Sequence, residues 1–484
     1  MYDLIVIGGG PAGLRAAHRA RQLGASVALI ERNRLGGTAI NDGVAPTRTL
    51  ARAAHHVRDL RNHFADYGIK CLSVQIDFPT LMAKTQSVVG ALHKNHDFEG
   101  TLKRAGVDVF AGVGEARFTG PKRIALQNGT NVEADKFILC VGGRARKVDF
   151  PGVELALNHH DLWSLHGLPK SLIVVGGAAT GCQVASIAAQ FGAQVTILEM
   201  SPRLVAVEDE SISQHVQRIY ERRGIDVTCG IAGLDRLEKA GSGLRLTYRQ
   251  GNATQTLEAE AVFIAAGWPG NADTLNLSAV GVEVERSYVK VNEYLQSTAP
   301  HIYAAGDASG RIMLTQCAKI EADIAAENAV AGNRRKYEQL LISHASFTDP
   351  EYAGIGLTEP QARARHDCLV ATVPYDQLDR AIIDSHTDGF FKMIVDKSTH
   401  RVLGAHASGE QATDVIQMVA ASMQANETVD DLAQLELAYP TYTSIVSMAA
   451  SWIAHQLGIR TPGAAELFHA GPAGQAESVY EYTL

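Results

Sequence analysis

The feature that most constrains the fold is a glycine-rich turn between an apolar strand and a helix near the start of the chain. The strand runs into the pattern GxGxxG, and the next predicted strand ends in an acidic residue. This is the dinucleotide-binding fingerprint, in which the glycines permit a tight turn close to a pyrophosphate and the acid binds a ribose hydroxyl. The helix entrance also offers N–H groups to phosphates. The residues predicted to bind this nucleotide are Gly8, Gly10, Gly13 and Glu31.

The same pattern returns about 170 residues later, which indicates a second nucleotide. Gly176 and Gly181 frame the second turn, and Glu199 ends the following strand. Two such units in one chain are most simply explained by one flavin and one nicotinamide. Glu199 favours NADH over NADPH, because a carboxylate repels a 2′-phosphate. Ala178 replaces the middle glycine and adds a methyl group where the pyrophosphate approaches, so nicotinamide binding is the less secure of the two.

Length and composition limit the other possibilities. A chain of 484 residues is too long for one hydrophobic core and points to about three domains. Its net charge of −8, with no basic block, makes nucleic acid an unexpected partner. There is no apolar run of about 20 residues and no leader-like N-terminus, so we expect no membrane span and a cytoplasmic location. The six cysteines are scattered, which argues against a zinc or CxxC centre.

The segment Gly36 to Leu50 carries a family resemblance. It reads GGTAINDGVAPTRTL and resembles the redox loop GGTCxNxGCxPSK of the flavoprotein disulfide reductases, the group that includes dihydrolipoamide dehydrogenase, glutathione reductase and mercuric reductase. Gly37 and Thr38 match this pattern, whereas Ala39 and Val44 stand at the two cysteine positions. Further motifs of the family follow in order: IYAAGD at residues 302–307, FTDPE at 347–351 and HRVLGAH at 400–406. The resemblance therefore covers nearly all of residues 1–459.

The resemblance implies an α/β fold with two Rossmann-like dinucleotide-binding domains and a C-terminal α+β dimerisation domain, and therefore a homodimer. It implies FAD and NAD(P)H as cofactors. Gly142 and Gly267 match the turns at two strand ends, and Asp307 matches the residue that binds the ribityl chain of FAD. The expected parts are 1–150 and 270–345 for FAD, 151–269 for NAD(P), 346–462 for dimerisation, and a tail, 463–484. Between the two dinucleotide-binding turns, we predict a helix from Thr80 to Leu102.

The groups that handle thiols and protons in the family are also replaced. The segment LAYPTYTS puts Tyr439 at the position of the family's histidine and Ser444 at that of its glutamate. Tyrosine, with a pKa near 10, is a poor base at neutral pH. Because Ala39 and Val44 cannot form a thiolate, a dithiol relay to a disulfide is excluded at this site. With tyrosine at this position, the chain resembles the family's soluble pyridine nucleotide transhydrogenases and a quinone-reducing branch. Ser444 departs from the transhydrogenases, which keep the acid.

Three positions around the expected flavin and two histidine pairs need separate interpretation. Arg48 matches a family lysine, and Gln183 stands where its glutamate partner is expected, so Arg48 is predicted to have no ion pair. Asp42 is interpreted as a solvated turn residue, with a carboxylate facing flavin or substrate as the alternative. The pairs His55–His56 and His159–His160 are interpreted as lacking a third ligand, so surface or capping roles are expected rather than a metal site.

These observations predict an FAD-dependent NAD(P)H:acceptor oxidoreductase that passes hydride from nicotinamide to FAD and on to a small non-disulfide acceptor, such as a quinone or a similar aromatic compound. The expected catalytic residues are Arg48, Gln183 and Tyr439. Two alternatives stay open. One is a soluble transhydrogenase, and the other is a non-catalytic, FAD-bound scaffold or sensor, motivated by the changes at Ala178, Ala179 and Gln183.

Overall fold

The computed structural model of the protein describes residues 1–71, 73–338 and 341–459. The predicted tail, 463–484, lies outside the described residues. The described chain forms two parallel sheets flanked by helices and a C-terminal antiparallel sheet. The predicted fold class is therefore confirmed.

The first large sheet positions the first nucleotide-binding turn. Strand Tyr2–Ile7 lies at its centre and is paired in parallel on both sides, with Ile7 opposite Ile30 and Leu139. Its apolar side chains are buried on both faces, as expected for a parallel strand covered by helices. Because the strands are parallel, their carboxyl ends meet at one edge. The spatial order of the parallel strands is Asp108–Ala111, Val27–Glu31, Tyr2–Ile7, Asn131–Leu139 and Ile302–Ala304; Arg123–Leu126 and Ala116–Gly120 extend the sheet in antiparallel fashion.

The second parallel sheet repeats this arrangement for the second turn. Strand Ser171–Val175 is central, with Val175 opposite Leu198 and Ile264. Its strands are Ala261–Ile264, Ser171–Val175, Gln194–Glu199 and Asp226–Cys229 in spatial order, beside the antiparallel strands Ile231–Ala240, Gly243–Gln250 and Ala253–Ala259. The small hairpin Val284–Glu285 with Tyr288–Val289 is separate, and its Val289 packs in the apolar cluster of the first large sheet.

The C-terminal sheet is antiparallel and has its own core. Strand Phe390–Asp396 is buried along its whole length. Helices Ala412–Ala425 and Ser444–Gln456 contribute to the apolar cluster that covers it. Segregation of strands and helices is as predicted for an α+β module. The spatial order of the strands is His344–Ser346, Tyr352–Gly356, Val402–Ser408, Phe390–Asp396 and Cys368–Pro374.

The helix predicted from Thr80 to Leu102 is interrupted at Asp97. We predicted one helix from Thr80 to Leu102, but the structure has two, because Asp97 adopts a left-handed conformation with φ of +40°. Its carboxylate is held by Arg104, 2.9 Å away. The α-helices are Pro11–Gln22, Gly37–Asn41, Val44–Asn62, Phe78–His96, Phe98–Arg104, Ala179–Gln190, Glu210–Arg222, Thr315–Ala331, Glu359–Arg363, Asp379–Ile383, Ala412–Ala425, Val429–Ala433 and Ser444–Gln456.

Candidate functional site

The first glycine-rich turn has no room for side chains at two of its glycines. Gly8 has φ of +109°, and a Cβ atom on it would lie 2.2 Å from the carbonyl oxygen of Cys140. A Cβ atom on Gly13 would lie 1.7 Å from the carbonyl oxygen of Gly8. Gly10 is the N-cap of the following helix, and no described side chain caps this helix. The turn therefore brings bare backbone N–H groups to the sheet edge, where they suit a phosphate.

Each glycine-rich turn is tied to the acid that ends the next strand. The Glu31 carboxylate accepts hydrogen bonds from the backbone N–H groups of Gly9, at 2.6 Å, and Asn33, at 2.8 Å. The Glu199 carboxylate accepts from those of Gly177, at 2.5 Å, and Ser201, at 2.6 Å. The two units thus share one local design, which fixes the orientation of each carboxylate beside its turn.

The second turn accommodates its alanine without strain. Gly176 has φ of +108°, and a Cβ atom on Gly181 would lie 1.8 Å from the carbonyl oxygen of Gly176. Ala178 has φ of −81° and ψ of −175°, close to the −78° and −174° of Gly10 in the first turn. Because any residue can adopt these angles, the only cost of Ala178 is its methyl group on the phosphate side. The glycines that the backbone itself requires are retained.

The predicted turn glycines, Gly142 and Gly267, lie where the chain crosses between the two units. Their φ angles are +66° and +121°, in the region that favours glycine. The carbonyl oxygen of Gly142 accepts a hydrogen bond from the N–H of Asn271, at 2.9 Å, and that of Gly267 from the N–H of Arg146, at 3.0 Å. The two crossing segments are therefore paired with each other.

Asp307 has a protein partner that the sequence did not reveal. The indole N–H of Trp268 donates to its carboxylate at 3.0 Å, and burial raises the pKa of Asp307. Glu321, fully buried beside it, accepts hydrogen bonds from the N–H of Gly306, at 2.8 Å, and the hydroxyl of Ser309, at 3.0 Å. Burial raises the pKa of Glu321 to about 7. Trp268 and Glu321 lie in other segments, so only the fold brings them to Asp307.

The loop with the former cysteine positions packs against the first turn. A Cβ atom on Gly37 would lie 2.7 Å from Cα of Gly10. Thr38 follows in the short helix Gly37–Asn41 and is partly exposed. Ala39 is half-buried and Val44 is 48% exposed. Neither of these two positions is sealed inside the protein.

The prediction that Arg48 has no ion pair is wrong. Its guanidinium lies 3.2 Å from the carboxylate of Glu351 and 4.5 Å from the ring centre of Phe347. Gln183 instead donates to the carbonyl oxygen of Ala179 in its own helix, at 3.2 Å. The charge of Arg48 is therefore balanced by a residue some 300 positions away, in the segment FTDPE, and this partner had no signal in the local sequence.

The hydrogen-bond partner of Tyr439 is the acid Asp379, and not Ser444, which stands at the position of the family's glutamate. Its side chain is 77% exposed in the single chain, and its hydroxyl donates to the Asp379 carboxylate at 2.5 Å. This hydrogen bond and the charge of Asp379 raise the pKa of Tyr439. The Ser444 hydroxyl donates to the carbonyl oxygen of Thr441, at 2.7 Å. Tyr439 thus stays protonated at neutral pH, in agreement with its predicted weakness as a base.

The interpretation of His159 and His160 as lacking a third ligand is wrong. Asp42, from the former redox loop, lies with its carboxylate oxygen 2.8 Å from Nδ1 of His160 and 3.9 Å from Nε2 of His159. Asp42 is therefore not a simple solvated turn residue. Burial, followed by the neighbouring His160, lowers the pKa of His159 to about 4, so its imidazole is neutral at pH 7.

A buried charge network joins this part of the chain to the C-terminal sheet. Arg58, which is 5% exposed, lies 3.0 Å from both Asp349 and Glu410, and Arg223 lies 3.0 Å from Asp349. Burial opposes ionisation of Asp349, but the charges of Arg223 and Arg58 hold its pKa at about 2. Asp349 and Arg58 are both charged at neutral pH, so removal of one of them leaves the charge of the other buried without its partner.

We expect Arg58→Ala to lower the free energy of unfolding by about 3–5 kcal/mol, because it leaves the buried Asp349 short of one cation. Urea unfolding of the FAD-loaded protein measures this. Arg61→Ala is the matched control: this arginine is on the same helix but donates only to the carbonyl oxygen of Gln190 at the surface, and its loss should cost within about 0.5 kcal/mol. Equal losses in the two variants would show that the network is not stabilising.

Two nucleotide-binding turns on two parallel sheets, followed by an antiparallel C-terminal domain, define the class of flavin- and nicotinamide-dependent oxidoreductases. Residues 2–322 match the family described as pyridine nucleotide-disulphide oxidoreductase, and residues 342–450 match the dimerisation domain of that family. The chain belongs to the pyridine nucleotide-disulphide oxidoreductase family, whose members use FAD and NAD(P)H. The resemblance to the flavoprotein disulfide reductases is confirmed.

The similarity to individual relatives extends over the full length of the family fold. A dihydrolipoyl dehydrogenase from Bacillus subtilis (strain 168) is 30% identical over 470 residues, covering 93% of this chain and 97% of the relative. A mercuric reductase from Lysinibacillus sphaericus is 30% identical over 453 residues, covering 93% and 82%. The solved structure of the HOCl-induced flavoprotein disulfide reductase RclA from Escherichia coli superposes with a TM-score of 0.82 at 26% identity, covering 93% of this chain and all of that one.

The described residues include no helix that is both long enough and apolar enough to cross a bilayer.

Proposed function

We propose that the protein is an FAD-dependent NAD(P)H:acceptor oxidoreductase whose acceptor is not a disulfide. The observation that carries this proposal is the loop 36–50, which keeps the family frame but has Ala39 and Val44 at the two cysteine positions. Neither side chain can form a thiolate or store electrons as a disulfide. The relatives named for disulfide chemistry therefore share the cofactors of this chain but not its route to the acceptor.

Three of the remaining cysteines, Cys140, Cys182 and Cys317, support this proposal because their burial makes them unsuited to redox work. Cys140 and Cys182 are buried in apolar cores, and burial raises the pKa of both thiols. Burial also raises the pKa of Cys317 to about 11. A thiol that stays protonated is a poor nucleophile, so these residues cannot replace the missing pair.

The first unit fits FAD, which supplies the two-electron chemistry when bound. Its bare glycine turn suits the pyrophosphate, and Glu31 is oriented beside that turn by two backbone N–H groups. Asp307 has one hydrogen bond, from Trp268, and its carboxylate can accept more from a polyol chain. The residues proposed to hold FAD are Gly8, Gly10, Gly13, Glu31, Gly37, Thr38, Gly142 and Asp307.

The second unit fits a nicotinamide nucleotide, with NADH favoured. Gly176, Gly181, Glu199 and Gly267 are proposed to bind it. The Glu199 carboxylate is fixed beside its turn and would repel a 2′-phosphate. Arg203, four residues after Glu199, does not offset this charge, because it donates to the carbonyl oxygens of Ala206, at 2.9 Å, and Glu208, at 3.0 Å. Its guanidinium is thus held locally.

A quinone or a similar flat aromatic compound is the proposed acceptor. Ala39 is small and half-buried and Val44 is 48% exposed, so a flat molecule that stacks here would meet little side-chain bulk, and electrons would pass to it without a thiol relay. Arg48 is 51% exposed and paired with Glu351, so it offers a cation at this edge without an unbalanced buried charge. The Tyr439 hydroxyl donates its single hydrogen to Asp379 in the single chain. We propose that it exchanges this partner for the acceptor in a homodimer that uses the family's dimerisation domain.

Turnover with a quinone tests this proposal. The FAD-loaded protein should oxidise NADH rapidly with a soluble benzoquinone or naphthoquinone and show no NADH oxidation with lipoamide or glutathione disulfide. The dihydrolipoyl dehydrogenase from Bacillus subtilis serves as the positive control for lipoamide. Turnover with a disulfide, or none with any quinone despite reduction of the flavin, would contradict the proposed acceptor class.

Soluble transhydrogenase is the second candidate, favoured by Tyr439 at the histidine position. It predicts hydride exchange between NADH and an oxidised nicotinamide analogue at a rate that exceeds quinone reduction. The third candidate, an FAD-bound scaffold or sensor, predicts that the flavin stays oxidised when excess NADH and NADPH are added without oxygen. The same protein preparation therefore separates all three.

A further inference from the structure

We propose that Asp42, His159 and His160 form a binding site for a divalent late transition metal ion such as Zn²⁺ or Cu²⁺. One ligand atom of each residue lies within 4.8 Å of the others. The carboxylate oxygen of Asp42 is 2.8 Å from Nδ1 of His160 and 3.9 Å from Nε2 of His159. Ligand atoms about 2.0–2.1 Å from a tetrahedral ion are separated by about 3.3 Å, so small movements bring these three into range.

The burial of the His159 ring without a hydrogen-bond partner is not explained by a hydrogen-bonded turn. It is only 8% exposed, and neither of its ring nitrogens has a hydrogen-bond partner among the described residues. A buried imidazole normally has a partner, because leaving its nitrogens unsatisfied is costly. Its ring is held at 4.7 Å from that of Trp268 and 3.7 Å from that of His160, next to the Asp42 carboxylate. A metal ion at this point would supply the missing partner.

The backbone around the three residues is held by contacts that leave their ligand atoms available. The indole N–H of Trp163 donates to the carbonyl oxygen of Asp42 at 2.8 Å, which fixes the loop without using its carboxylate. The side-chain oxygen of Asn158 accepts from the backbone N–H of His160 at 2.9 Å. The His160 side chain is 57% exposed and that of Asp42 24%, so an ion can enter from solvent and keep water on its open side.

The donor set selects the metal class. Two imidazoles and one carboxylate suit Zn²⁺, Cu²⁺ and their neighbours, whereas Mg²⁺ and Ca²⁺ prefer sites made of oxygen atoms. A second cluster, Asp59 with His63 and His386, has ligand atoms at similar separations. Both of its histidines are partly exposed and neither is among the buried groups without a partner, so it lacks the feature that marks His159.

Zn²⁺ titration of the chelator-treated, FAD-loaded protein tests the site by calorimetry, with Co²⁺ absorption reporting on coordination. We expect one site in the unmodified protein and an affinity at least about tenfold lower in Asp42→Asn and in His160→Ala. Both changes lie at positions with exposed side-chain surface, and retained flavin absorbance verifies the fold. His56→Ala, a change in the other histidine pair, is the control and should leave the affinity unchanged.

His63→Ala distinguishes the two clusters. Unchanged Zn²⁺ affinity in this variant, together with the loss in Asp42→Asn, supports the proposed site. Full Zn²⁺ affinity in both Asp42→Asn and His160→Ala, or loss of binding in His63→Ala alone, would overturn it. Because the readout is metal binding, failure here leaves the quinone reductase proposal untouched, and failure of quinone turnover leaves the metal site untouched.

Discussion

Gly13→Ala is expected to weaken FAD binding about 100-fold, or to yield protein that is purified without FAD. The added Cβ atom would lie 1.7 Å from the carbonyl oxygen of Gly8. Gly8 follows the central strand and Gly13 lies in the helix after the turn, so neither side is free to give way and the turn itself has to move. Overpacking of this kind costs about 3 kcal/mol, which corresponds to about two factors of ten in affinity. Flavin content after purification and quenching of FAD fluorescence on rebinding measure the effect.

Gly90→Ala is the control for the exchange of glycine for alanine. Gly90 lies exposed within helix Phe78–His96, and a Cβ atom on it would meet nothing within 4 Å. This variant should retain FAD fully and unfold at slightly higher urea concentration, since alanine favours the helix by up to about 1 kcal/mol. If Gly13→Ala binds FAD as tightly as Gly90→Ala does, the first turn is not the flavin site.

Gly181→Ala is expected to leave FAD bound and to reduce the rate of flavin reduction by NADH about 100-fold at limiting NADH. Its Cβ atom would lie 1.8 Å from the carbonyl oxygen of Gly176, so the cost resembles that at Gly13 but falls on the second unit. Anaerobic stopped-flow absorbance of the flavin gives the rate, and a photochemical reduction confirms that the bound FAD is still reducible.

Ala178→Gly is the matched control in the same turn. Because Ala178 has an ordinary φ of −81°, the change relieves no backbone strain and removes only the methyl group. NADH should bind as well as before or better. Normal reduction of Gly181→Ala by NADH would contradict the assignment of the second unit, whereas slow reduction of both variants would indicate general damage to the helix.

The local elements that bind the nucleotides could be predicted from the sequence because their chemistry is contained in short segments. Gly8, Gly13, Gly176 and Gly181 are required by contacts within a few residues or with the neighbouring strand. The carboxyl ends of parallel strands then bring turn and acid to one edge. Hydrophobic runs and glycine positions were sufficient for this part.

The partners of the charged side chains could not be predicted, because they come from distant parts of the chain. Glu351 balances Arg48 across about 300 residues, and Asp379 accepts from Tyr439 across 60. Asp42 meets the histidine pair only after the loop and the segment before the second sheet have packed together. In each case a plausible local explanation was available, and tertiary packing overrode it.

The number of NADH equivalents needed to reduce the flavin tests the central claim most directly. An enzyme with a redox-active cysteine pair takes up two electrons in the dithiol and two in FAD, and it shows a long-wavelength band from thiolate to flavin at the halfway point. With Ala39 and Val44 at those positions, we predict that one NADH per FAD bleaches the flavin completely in an anaerobic titration, with no such band. A requirement for two equivalents, the appearance of the band, or a flavin that remains oxidised would contradict the account.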